Sequence, residues 1–178
     1  SAVSLVTNGK IQEALQIVEP LIDKYPNESI LFNIRGVCNK ANNEFNDAIV
    51  DFNHAVSIKP DYAEAHYNLG VTLREIGDLD NAIESYKQAL KHNNHYPKAH
   101  NNLGQIYIVM EDLNLALDHL EWAVALQPEF SDAFNNLGSA YIGLNKVHDA
   151  IKSFKKAVAL NSNFSIAFNN LGIAFQRI

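Results

Sequence analysis

Apolar residues in the segment 63–76 fall at Ala65, Leu69, Leu73 and Ile76, and those in 79–90 at Leu79, Ala82, Ile83, Tyr86, Ala89 and Leu90. Steps of three and four place each set on one face of a helix, so the two segments are predicted to form a pair of helices. Between them Gly77-Asp78 supplies a stop for the first helix and an N-cap for the second, while Pro26, Pro60 and Pro128 mark the loop that closes a unit. The pattern returns at a fixed interval. Alanine stands at Ala14, Ala48, Ala82, Ala116 and Ala150, glycine at Gly36, Gly70, Gly104, Gly138 and Gly172, and a large apolar residue at Val18, Phe52, Tyr86, Leu120 and Phe154, every 34 residues without insertion. Such a period denotes stacked supersecondary units, each burying its apolar face on its neighbours. Glycine inside a helix costs about 1 kcal/mol relative to alanine, so its recurrence in the first helix predicts a close crossing of helix axes there.

These positions resemble the tetratricopeptide repeat. Leu69-Gly70, Leu103-Gly104, Leu137-Gly138 and Leu171-Gly172 match its Leu-Gly pair; Tyr107, Tyr141 and Phe175 its tyrosine; Ala89, Ala123 and Ala157 its second alanine. The resemblance implies an all-α fold, a right-handed superhelical solenoid of antiparallel helix pairs. Its units are expected at 29–62, 63–96, 97–130 and 131–164, with a partial repeat at 1–28 and the first helix of a further repeat at 165–178. Both ends read as cuts through an array: Ala2 to Asn8 is the tail of a first helix, and the only methionine is Met110. A longer parent protein is therefore expected.

Composition narrows the function classes. Hydrophobic residues are 47% of the chain, and no apolar run approaches the roughly 20 residues of a membrane helix, so no membrane insertion is expected. The net charge of -6 argues against nucleic acid, whose phosphates demand concentrated lysine and arginine. The best basic cluster, Lys152, Lys155 and Lys156, reads as a solvated face. Cys38 stands alone where the other repeats have Thr72, Ile106, Ala140 and Ala174, and is expected to be a buried small residue. No Gly-x-Ser-x-Gly elbow, phosphate loop or dinucleotide fingerprint occurs, so neither catalysis nor a cofactor is predicted for these residues. His66 and His100 occupy the register of Phe32, Phe134 and Phe168 and are read as ring-packing substitutes. His92 and His95 have a spacing that metals use, yet they flank Asn93-Asn94 in a connecting loop, and no metal is expected. A cytoplasmic interaction module is the resulting expectation.

Within the tetratricopeptide family the first helices line the concave face, and the residues just before Leu-Gly point into it. Here those residues are Asn33 and Ile34, Tyr67 and Asn68, Asn101 and Asn102, Asn135 and Asn136, and Asn169 and Asn170, and eight of the ten are asparagine. Asparagine favours caps and turns over helix interiors, so its concentration there calls for a reason. Its amide offers one acceptor and two donors, matching the C=O and N–H of a peptide backbone. Helices about 10 Å apart and an extended chain rising roughly 3.3 Å per residue let one rung meet about every third ligand residue. An extended polypeptide is thus the expected partner, held by Asn68, Asn101, Asn102, Asn135, Asn136, Asn169 and Asn170. The arrangement is similar to the asparagine ladder in the repeats of O-linked N-acetylglucosamine transferase; Asn68, Asn102, Asn136 and Asn170 carry that ladder over, and Ile34 breaks it. The family's carboxylate clamp for acidic tails is missing, because Asn33, Val37, Asn101 and Gln105 stand where it would want lysine or arginine. Two other readings remain open: the substrate-recognition arm of a glycosyltransferase or sulfotransferase, and self-assembly through the apolar edge Phe168, Leu171 and Phe175.

Three local expectations test the register. Arg35 replaces the core leucine of the other repeats, and Asp51 stands where they have Ser85, His119 and Ser153, so the two should pair within the repeat. Pro20 falls inside a helix running from Ile11 to about Lys24 and should bend it near Gln16. The groove asparagines should be exposed, and their replacement by alanine should leave stability unchanged.

Overall fold

The apolar stripes have nowhere to go but onto one another. The computed structural model describes residues 1–178 as eleven helices: α1 (Ala2–Thr7), α2 (Ile11–Lys24), α3 (Ser29–Ala41), α4 (Phe45–Ile58), α5 (Ala63–Glu75), α6 (Leu79–His92), α7 (Pro97–Val109), α8 (Leu113–Leu126), α9 (Ser131–Gly143), α10 (Val147–Leu160) and α11 (Ser165–Phe175). No strand is present. Two units divide the chain, Ser1–Asn94 and His95–Ile178. In the first, α3 pairs with α4 and α5 with α6, α4 packs on α5, and α1 and α5 both touch α3. In the second, α7 pairs with α8 and α9 with α10, α8 packs on α9 and α10 on α11, and α9 touches both α7 and α11.

The glycine period marks the crossing inside each pair. A Cβ at Gly36 would lie 2.7 Å from the Phe52 ring, at Gly70 2.9 Å from Tyr86, at Gly104 2.5 Å from Leu120 and at Gly138 2.5 Å from Phe154. Each large side chain thus sits in a notch where its partner helix has no side chain. At Gly172 a Cβ would meet nothing within 4 Å.

The turn inside each pair uses a left-handed residue. Gly9, Asn43, Gly77, Glu111 and Asn145 all have positive φ, from 57° to 84°, and they follow the same 34-residue interval. Glycine takes this conformation without a steric penalty; asparagine and glutamate hold it against one. Asp78 and Asp112 then cap the second helices, their carboxylates accepting from the backbone N–H of Asn81 and Leu115 at 3.3 Å.

Arg35 and Asp51 pair as the register requires. The Arg35 Nε lies 3.0 Å from both carboxylate oxygens, and Asn39 Nδ2 donates to Asp51 Oδ2 at 2.9 Å. Asp51 is 2% exposed, and the pairing raises the affinity of the Arg35 guanidinium for its proton, the hydrogen bond it donates to Asp51 being the main cause. Cys38 is fully buried, and burial pushes its thiol up. Helix α2 runs through Pro20 to Lys24.

Candidate functional site

Asparagines of successive first helices are bonded to each other. Asn68 Nδ2 donates to Asn33 Oδ1, Asn136 Nδ2 to Asn101 Oδ1 and Asn170 Nδ2 to Asn135 Oδ1, each at 2.9 Å. The first bond ties α3 to α5 in one unit; the other two tie α7 to α9 and α9 to α11 in the second. Each joins residues 35 apart, one helical step beyond the repeat length, because the upper asparagine of one helix faces the lower asparagine of the helix before it. Asn33 Nδ2 in turn donates to the Tyr62 hydroxyl at 3.3 Å.

The expectation of exposed asparagines is corrected by this packing. Asn33, Asn101, Asn102 and Asn135 are 4, 7, 9 and 8% exposed, whereas Asn68, Asn136 and Asn170 are half-buried and Asn169 is open to solvent. Helices in contact cover the residue that faces the neighbouring axis, and a buried amide must then be paired. Stability is affected accordingly. Asn136→Ala is expected to cost about 1–3 kcal/mol in chemical denaturation, since it strips the donor from the buried Asn101 carbonyl. Asn169→Ala, at an exposed site, should change stability by less than about 0.5 kcal/mol.

Histidines take part in ring packing, as their register suggests. His66 is half-buried, its Nε2 2.9 Å from the Pro60 carbonyl oxygen, and its ring stacks on His92 with centroids 5.9 Å apart. His100 is buried, with its Nδ1 3.0 Å from that of His119 and its ring stacked on Trp122. The structure gathers no group of three or more His, Cys, Asp or Glu side chains suited to a metal, and no helix is long and apolar enough to cross a membrane. Lys152 bonds to Asp149 at 3.1 Å on an exposed face, and Lys155 lies over the Phe175 ring.

Between α9 and α8, the Tyr141 hydroxyl donates to Glu121 Oε1 at 3.0 Å. Burial first, and the adjacent carboxylate second, push the phenol up to about 12. A spectrophotometric titration should therefore show Tyr141 ionising well after exposed tyrosines. Glu121→Gln should bring it part of the way down, because burial remains.

Sequence patterning missed one set of residues here. In the first unit, α1, α3 and α5 enclose a groove of about 460 Å³ that includes Val3, Val6, Ile34 and Val37 beside Asn33 and Asn68. Ile34 reads as a break in the asparagine series only until Ile30 and Val37 are placed next to it, at spacings of four and three on the same helix face.

Comparison with known proteins follows the repeat period. Family profiles described as TPR repeat match residues 40–75 and 72–110, and profiles described as Tetratricopeptide repeat match 97–130 and 131–164. No match was found among curated proteins. Among solved structures, MamA is 27% identical, with 90% of this chain and 94% of that one covered at a TM-score of 0.80. YrrB, described as a TPR protein with an unusual peptide-binding site, is 18% identical over 94% of this chain and 87% of its own, at a TM-score of 0.77. The first TPR of Spaghetti (RPAP3), bound to the HSP90 peptide SRMEEVD, is 24% identical over 64% of this chain and 90% of its own, at 0.63. The last two identities speak for the fold alone. With its repeats matched in sequence from residue 40 to 164, the chain belongs to the tetratricopeptide repeat family.

Proposed function

We propose that this protein–protein interaction module binds an extended polypeptide along the first-helix face of its units, through a series of asparagine amides. The repeated amide pair carries the reading. Asn68, Asn136 and Asn170 each donate one hydrogen to the preceding asparagine, which leaves a second N–H and a carbonyl oxygen to meet a peptide unit. Asn101 and Asn135 act beneath them by fixing their orientation, and Asn102 and the exposed Asn169 complete the series. Because the amides are already held, a ligand orders only itself on binding. Each rung contributes about 0.5–1.5 kcal/mol, so affinity accumulates with length and depends little on ligand sequence.

Neighbours in the fold support the same class, since one was solved with a bound peptide and another is described by its peptide-binding site. A lysine or arginine clamp for an acidic tail like that peptide is not favoured here: Asn33, Val37, Asn101 and Gln105 stand at the clamp positions, and Lys40 is paired with Glu75 at 3.4 Å.

The test is a titration of isotope-labelled protein with three unrelated unstructured peptides, followed through asparagine side-chain amide resonances. Signals of Asn68, Asn136 and Asn170 should shift with all three, and Asn102→Ala combined with Asn136→Ala should weaken binding about tenfold in a variant that circular dichroism shows to be folded. Shifts confined to the Lys152 and Lys155 face would move the site to the second helices and overturn the reading.

A further inference from the structure

We infer that the groove of the first unit is a selective side-chain pocket, taking an apolar residue of the bound polypeptide that is flanked by lysine or arginine. The inference rests on the peptide-binding reading and adds sequence preference to it. Its walls come from three helices: Val3 and Val6 of α1, Ile30, Ile34 and Val37 of α3, and Tyr62 at the start of α5. At about 460 Å³ it falls within the ligand-sized range of about 300–1,000 Å³.

The register shows how local this feature is. Where the first complete repeat has Ile30, Ile34 and Val37, the complete repeats of the second unit have Lys98, Asn102 and Gln105, then Asp132, Asn136 and Ser139, and α11 has Ile166 and Ile173 around a retained Asn170. Relative to the complete repeats of the second unit, an apolar triad has replaced a polar one over about two turns of helix. The floor is still a rung, because the bonded pair Asn33 and Asn68 lines the same groove and can hold the backbone of the residue whose side chain enters.

Charge selects the flanking residue. Glu64 is exposed at the rim and is the one charged side chain in the lining, which contains no lysine or arginine. A cationic neighbour of the inserted residue is therefore attracted and an acidic one repelled, the reverse of an acidic-tail clamp.

Three capped peptides test this against the whole chain: Gly-Ser-Arg-Leu-Arg-Ser-Gly, the same peptide with both arginines changed to glutamate, and the same peptide with leucine changed to serine. The first should bind about tenfold more tightly than the serine peptide, from burial of the leucine side chain, and about fivefold more tightly than the glutamate peptide at low salt. Ile34→Asn, which restores the residue of the other repeats, should abolish the leucine preference. Glu64→Gln, at an exposed site that the fold does not need, should abolish the arginine preference alone. Equal affinities for the leucine and serine peptides, or a preference that survives both variants, would overturn the inference. If all three peptides shift Asn136 and Asn170 and also shift Asn33 and Asn68 equally, the asparagine reading stands and the pocket falls; if none shifts either unit, the asparagine reading itself fails. Concentration-dependent self-association abolished by Ile34→Asn would assign the groove to a second copy of the chain, and would overturn the inference as well.

Discussion

Arg35→Leu alone is expected to destabilise the protein by about 3 kcal/mol, although leucine is what every other repeat has at that position. Asp51 is the reason. Its carboxylate is 2% exposed and faces the Arg35 guanidinium, whose side chain keeps 31% of its surface in solvent. Removing the arginine leaves Asn39 as the only remaining donor to a buried charge. Adding Asp51→Ser should restore stability to the starting level or above it, since the serines at this register in two other repeats satisfy themselves. Ser85 Oγ donates to the Asn81 carbonyl at 2.8 Å and Ser153 Oγ to that of Asp149 at 3.0 Å. Asp47 supplies the equivalent carbonyl. Urea unfolding of the two single variants and the double gives the coupling directly; additive effects would mean that the pair does not act as one.

Gly138→Ala should cost about 2 kcal/mol, whereas Gly172→Ala should stabilise by about 0.5–1 kcal/mol. Both glycines lie inside helices at the same point of the repeat, and alanine is the better helix former at each. What separates them is the neighbour. A Cβ at position 138 would come within 2.5 Å of the Phe154 ring, which is 1% exposed and cannot step aside, while at 172 it would meet nothing within 4 Å. Thermal and urea unfolding of the two variants measure the difference. Equal effects would show that the notch at Gly138 relaxes freely.

The fold was legible because one interval governs it. Ala82, Gly70 and Tyr86 each restate a contact that the chain makes several times, so spacing alone locates the helix pairs, the notch and the pairing of Arg35 with Asp51. The site was legible only in part. Helical periodicity says which face a residue occupies, and the asparagines do share one; it does not say how closely the next helix covers that face, and the bond from Asn68 to Asn33 depends on that distance. The left-handed turn was readable at Gly77, where glycine announces it, and hidden at Asn43, Glu111 and Asn145, which adopt it without being glycine. The groove at Ile34 was hidden for another reason: one of its walls, α1, is too short to show a period.

A hydrogen bond between residues 35 apart is also a ruler. One residue added in α7 after Asn101, or in α9 before Asn136, would turn one partner of the bond by about 100° away from the other, whereas duplicating the repeat 97–130 places an asparagine donor opposite an asparagine acceptor again. The array is therefore free to change in number and constrained in unit length. Lengthening by duplication of such a repeat keeps its junction intact, and drift by single residues is penalised at each of the three bonded junctions.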